Sequence, residues 1–115
     1  PDGLATGFAD AMVATLVADA AMHRLWYDLR SQALFEESFR ADVREIDTSL
    51  ERMIWRIVSR YAELAAAPAR TDPALTYAMF DGVFQQALAR HLSDVDSATD
   101  ELRAGVRALL TLVFS

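Results

Sequence analysis

Reactive side chains are scarce in this 115-residue chain. It has no cysteine, which removes disulfides, thiolate nucleophiles and thiolate metal sites from consideration. Any Ser-His-acid arrangement must use His23 or His91, and neither stands beside a Gly-x-Ser-x-Gly elbow. His91 falls near the end of a predicted helix, where a cationic or hydrogen-bonding side chain satisfies terminal carbonyls. A carboxylate-bridged di-metal bundle needs Glu-x-x-His on two helices, but Ala20 and Leu88 occupy the positions three before the histidines. Gly-rich phosphate loops, zinc spacings and calcium loops are absent. The paired acids Glu36-Glu37 and Asp100-Glu101 stand at helix starts, where the macrodipole favours negative charge. No catalytic residue, metal ligand or cofactor is assigned, and the chain is not expected to be an enzyme. An enzyme would need Arg30, His23 and a carboxylate in one cleft, and no orienting partner stands at recognisable spacing.

What the chain does have is a surplus of aromatic and methionine side chains: Trp26, Tyr27, Trp55, Tyr61, Tyr77, Phe80, Phe84, Met12, Met53 and Met79. Large flat groups with a few polar tips can line a cavity for a small apolar or aromatic ligand, oriented by Arg30, His23 or Tyr27. The competing reading is an ordinary hydrophobic core.

The elements that must position these groups are helical throughout. Three prolines and four glycines punctuate the chain, and β-branched clusters are rare, so no strand is expected. Residues 3–18 place Leu4, Phe8, Met12 and Leu16 at i+4 intervals, flanked by Ala5, Ala9, Val13 and Val17. A helix this apolar all round is expected to be central. Asp19 can cap a second helix over 20–35, with Met22, Leu25, Trp26, Leu29 and Ala33 as its apolar stripe; His23, Tyr27, Arg30 and Leu34 form a half-polar neighbouring face. After Glu36-Glu37, with Ser38 as a candidate cap, a long third helix reaches about Ala67 through Val43, Ile46, Leu50, Met53, Ile54, Ile57, Tyr61 and Leu64. Thr48 and Glu51 match a capping box, so a break near residue 47 is the alternative. Asp72-Pro73 starts a fourth helix over 73–92, and Ser97, with Asp100 three residues on, starts a fifth over 98–114.

The last two helices each carry two faces. Tyr77, Phe80, Val83, Phe84, Ala87 and Leu88 share one side of residues 73–92, while Ala78, Gly82, Gln85 and Ala89 lie opposite. In residues 98–114, Leu102, Val106, Leu109, Leu110 and Val113 oppose Gly105, Ala108 and Leu112. Glycine in a helix interior costs about 1 kcal/mol relative to alanine, so Gly82 and Gly105 suggest close approach of another backbone. A homodimer through a four-helix interface is the simplest partner arrangement.

Length fits one domain, 1–115, large enough to bury about two-thirds of its extended surface. Net charge is −6, and the arginines alternate with acids, as in Glu37, Arg40, Asp42, Arg44, Glu45 and Asp47. No phosphate-binding stripe emerges, so this chain is not expected to bind nucleic acid by itself. Asp10 and Asp19 interrupt the greasy first segment, and no membrane span is expected. The start at Pro1-Asp2-Gly3 reads as the cut end of something longer, and Leu110 to Ser115 continues a helical pattern without a stop signal.

The segment from Leu25 to Phe35, followed by Phe39-Arg40, Ile46-Asp47 and Leu50, resembles the regulatory domain of TetR-family transcriptional repressors. A second cue is Ala78-Met79-Phe80-Asp81-Gly82-Val83-Phe84, which is similar to the Asp-Gly helix opening the dimerisation pair of that family. The resemblance implies an all-α regulatory domain of five helices and a cytoplasmic location. It also implies an upstream helix-turn-helix domain, through which alone DNA would be bound. An effector pocket among the first four helices and a homodimer built from the last two are further implications. Set against this chain, it places Phe8, Met12, Trp26, Tyr27, Arg30, Trp55, Phe80 and Phe84 around the pocket. The alternative function is a homodimeric helical interaction module without a small-molecule ligand.

Overall fold

The structure, a computed structural model, describes residues 1–114. Among them five α-helices follow one another: α1 (Asp2–Ala18), α2 (Ala20–Gln32), α3 (Arg40–Ala65), α4 (Pro73–Leu92) and α5 (Ala98–Phe114). A 3-10 turn over Glu37–Phe39 joins α2 to α3. The all-helical class and the count of helices agree with the periodicity. The predicted continuation of α5 at Ser115 lies outside the described residues.

The two ends of the chain lie together. α5 packs against both α1 and α4, and α3 lies on α4. The predicted apolar face of α5 is buried along its length, through Leu102, Val106, Leu109, Leu110 and Val113. Against it α1 sets Ala5, Phe8, Ala9 and Leu16. At the edge of this contact Arg103 binds Asp10 at 3.0 Å and Arg107 donates to Thr6 at 2.6 Å.

α1 is less central than its composition suggests. Gly7, Ala11, Ala14 and Ala18 form an exposed side, with Val17 beside them. Small residues make a helix read as apolar while exposing little hydrocarbon, and so cost little in water. The chain then bends by 87° between α1 and α2. Asp19 does not cap α2 through its side chain; its carboxylate accepts from Thr15 Oγ1 instead. No single helix among the described residues is long and apolar enough to cross a membrane.

α2 ends at Gln32, short of the predicted Phe35. Arg40 closes that end, its Nε donating to the Ala33 carbonyl at 2.8 Å and its Nη2 to Leu34 at 3.3 Å. These contacts satisfy carbonyls that a continuing helix would have used. Ser38 lies inside the 3-10 turn and bonds to Glu36 rather than capping α3. α3 runs through Thr48 and Glu51 without a break, so the capping-box match there is incidental. Asp72 caps α4 as predicted, accepting from the Leu75 amide at 2.8 Å, with Pro73 in the first turn. The Ser97 hydroxyl turns to Glu101.

The stops of α3 and α4 share one device. Ala66 (φ 53°) and Asp94 (φ 60°) take the left-handed conformation. The amides of Ala66 and Ala67 bond back to Glu63 and Ala62, and those of Asp94 and Val95 to His91 and Arg90. Both are Schellman motifs with a residue other than glycine at the reversal. The loop after α3 then docks on the end of α5, where the Arg70 amide donates to the Val113 carbonyl at 2.7 Å.

Candidate functional site

Four helices each lend a short stripe to one chamber. α1 supplies Phe8, Met12 and Thr15; α2 supplies His23, Trp26 and Tyr27; α3 supplies Leu50, Met53 and Ile54; α4 supplies Tyr77, Phe80, Asp81 and Phe84. Every stripe follows the 3-4 spacing of one helix face, which is why local periodicity could point to it. The chamber is partly open to the surface, with a volume of about 130 Å³. Phe8 and Phe80 tilt together with ring centroids 5.5 Å apart, and the His23 ring stands edge-on to Phe84 at 4.8 Å.

Of the residues predicted for the pocket, Phe8, Met12, Trp26, Tyr27, Phe80 and Phe84 line this chamber, and Arg30 and Trp55 do not. Trp55 follows Ile54 by one residue, a rotation of about 100°, and on α3 it is Leu50, Met53 and Ile54 that line the chamber. Trp55 instead lines a surface groove of about 580 Å³ with Glu51, Arg52, Arg56 and Pro73. Arg30 lies in the wall of an open groove of about 910 Å³ that Asp47, Tyr77, Asp81 and Gln85 also border.

Arg30 is the hub of a polar cluster between the chamber and that groove. Its Nη1 lies 2.8 Å from Asp81 Oδ2 and 3.6 Å from Asp47 Oδ1, and its Nη2 donates to Gln85 Oε1 at 3.2 Å. Tyr27 donates to Asp81 at 3.0 Å and Tyr77 to Asp47 at 2.8 Å. The guanidinium also lies over the Tyr27 ring, 4.8 Å from its centroid. One cation thus joins α2 to α3 and α4. Burial, followed by the adjacent Asp81 carboxylate, pushes the Tyr27 phenol well above its ordinary range. Burial and the hydrogen bond to Asp47 do the same for Tyr77. Burial alone would weaken the Arg30 charge, but Asp81 and Asp47 outweigh it and raise its pKa.

This cluster shifts the inward face of α2 from the expected stripe, of which Trp26 and Ala33 still turn in. Met22 and Leu25 of the predicted apolar stripe are 58% and 68% exposed, while the His23, Tyr27 and Arg30 face turns inward. The acids that make this favourable are Asp47 and Asp81, on helices remote in sequence. Buried polar groups cost little once paired.

His23 joins a second polar chain. Its Nε2 lies 3.0 Å from Thr15 Oγ1, which donates to Asp19 Oδ2 at 3.2 Å. The order hydroxyl to acid and imidazole to hydroxyl is not that of a catalytic triad, in which the imidazole stands between the other two. Among the described residues no three His, Asp or Glu side chains gather as a metal site.

Thr15, His23, Leu50, Met53, Ile54, Tyr77 and Asp81 also line the chamber. The sequence marks His23 as an orienting group and includes Met53 and Tyr77 in the aromatic and methionine surplus, without placing any of the seven at the pocket. The i, i+4, i+8 register of Thr15, Asp19 and His23 gave no signal, because a bend separates α1 from α2.

On the predicted dimer face, Ala78, Gly82, Gln85, Ala89, Ala108 and Leu112 are exposed. Gly82 has open space where a side chain would stand. Gly105 requires a correction. A Cβ there would lie 2.9 Å from Val83 Cγ1, so its close neighbour is α4 of the same chain. The glycine lets α5 approach α4.

No family model, curated protein or solved structure matches the chain.

Proposed function

We propose that this chain is the effector-sensing and dimerisation domain of a TetR-like transcriptional repressor, and that the chamber between α1, α2, α3 and α4 is its effector site. The observation that carries this reading is the chamber itself, an aromatic and apolar wall built from four helices with polar groups at its margins. One of those helices, α4, also carries an exposed small-residue side at Ala78, Gly82 and Ala89, which suits contact with a second copy.

In this mechanism the effector shifts a population. Ligand between Phe8, Trp26, Phe80 and Phe84 favours one arrangement of the first four helices. The Arg30 cluster ties α2 to α3 and α4, so these helices move together. In a dimer that motion changes the separation of two upstream helix-turn-helix domains, which then no longer fit successive major grooves.

The test is a native-mass and thermal-shift screen of single-ring aromatics against the chain. Trp26→Ala should weaken binding at least about ten-fold, the scale expected for removing a large aromatic contact. Trp55→Ala, outside the chamber, should leave it unchanged. A screen with no stabilising compound, or a chain that is monomeric at micromolar concentration, would remove the basis of the proposal. The modest volume, about 130 Å³, favours the second reading, a ligand-free interaction module, if that screen is empty.

A further inference from the structure

We infer that the chamber takes a single-chain amphiphile. Its straight apolar chain starts among Phe8, Phe80 and Phe84 and leaves along the seam between α2 and α3, with its polar head in water. This rests on the chamber being a ligand site and goes on to name the chemistry it accepts.

The inner end is closed and apolar. Phe8, Ile54, Phe80 and Phe84 are all buried. The polar side chains of the wall are engaged with protein partners, Thr15 with His23, Tyr27 with Asp81 and Tyr77 with Asp47. A polar group of the ligand would give up its hydrogen bonds to water among side chains that are already paired, so the end that enters is hydrocarbon.

The outer end is open. Of the residues lining the chamber only Met53 is exposed, at 42%, which puts the mouth beside α3. Trp26 on α2 and Leu50 on α3 both line the chamber, and each has apolar neighbours one turn to either side. Around Trp26 these are Met22 and Leu29; around Leu50 they are Ile46 and Met53. Met22 is 58% exposed and Ile46 39%, so the apolar surface of the chamber continues outside it. Each strip covers two turns, about 10 Å. A straight chain can lie along such a strip, whereas a compact ring leaves most of it bare. Exposed hydrocarbon continuous with a cavity is surface that a protruding apolar ligand would shield from water.

Straight-chain primary alcohols from butanol to decanol test this, by titration calorimetry on the whole chain. Affinity should rise about four-fold per methylene while carbons enter the chamber, and about two-fold along the strip, where one side of the chain stays wet. The double variant Met22→Ser, Ile46→Ser removes strip hydrocarbon at two exposed positions outside the chamber lining. It should weaken decanol about five-fold and leave butanol unchanged. Methionine methyl NMR of the unaltered protein gives a second readout, with the four methionines assigned by replacing each with leucine. Butanol should move Met12 and Met53, and decanol should move Met22 as well. An affinity that stops rising beyond hexanol, a double variant that binds decanol as tightly as the unaltered chain, or a Met22 signal indifferent to decanol would overturn the chain inference and leave the ligand site standing. Binding of a single-ring aromatic but of no alcohol would have the same effect. Binding of neither would bring down the inference together with the proposed sensor.

Discussion

Replacing Gly105 with alanine should destabilise the protein, although alanine is the better helix former. The propensity gain is about 1 kcal/mol. The new methyl, however, would stand 2.9 Å from Val83 Cγ1, inside the roughly 3.5–4.0 Å at which carbon atoms prefer to sit. Val83 is β-branched and holds one strongly favoured rotamer in a helix, so it cannot swing aside freely. Overpacking of this kind costs about 1–3 kcal/mol. Set against the propensity gain, the net loss centres near 1 kcal/mol, or a fall of about 4 °C in Tm for a domain of this size. Gly82→Ala should do the opposite. Its methyl meets nothing within 4 Å, and the isolated fold should gain about 1 kcal/mol. Urea unfolding followed by circular dichroism would measure both, at two protein concentrations, because a dimer's midpoint rises with concentration. Dilute samples isolate the fold. In a Val83→Ala background, Gly105→Ala should become stabilising. Equal gains from both single variants, or a Gly105→Ala penalty that persists without the valine, would refute the reasoning.

Arg30→Met should cost about 2 kcal/mol in chemical denaturation, since it leaves the Asp81 and Asp47 carboxylates, half-buried, without their cation. Unchanged stability would mean that water replaces the guanidinium. At alkaline pH the two elevated phenols matter: Tyr27 and Tyr77 resist ionisation in the folded chain, while unfolded tyrosines ionise near pH 10. Their contribution is therefore complete below about pH 10 and is lost as pH climbs from there toward the folded values. Urea midpoints should be level from about pH 8 to 10 and then drop, less steeply in Tyr27→Phe. Ala66→Gly and Asp94→Gly should each stabilise by about 1 kcal/mol, because both positions have positive φ. A destabilised variant in thermal melts would contradict the left-handed assignment.

The helices were legible in the sequence wherever the signal was local. Asp72-Pro73 marked the start of α4, and the apolar face of α5 was identified in full. Helix ends were harder to read, since Ala66 and Asp94 reverse the chain without the glycine that advertises such a position. The facing of α2 was legible only in part, through Trp26 and Ala33, for another reason. Periodicity counts apolar residues, and it cannot foresee that Asp81, 54 positions beyond Tyr27, will pair with that face. The same blindness moved Arg30 from the pocket wall to the hub of a cluster. For Trp55 the fault was one residue of register, which on a helix is enough to carry a side chain from the chamber to a neighbouring groove while it still packs against the core. Gly105 shows a further limit. A small residue says that something comes near, and whether it belongs to the same chain depends on the fold.

The contact of α1 with α5 has a bearing on biogenesis. Thr6 and Arg107 meet across 101 positions, so the opening helix cannot complete its packing until the final helix has left the ribosome. At about 5–20 residues per second that interval is roughly 5–20 s. Throughout it the hydrocarbon of Phe8, Ala9 and Leu16 lacks its lasting cover, and the nascent chain is open to aggregation or to a holding chaperone. Folding should therefore come late and all at once, as the closing of a ring.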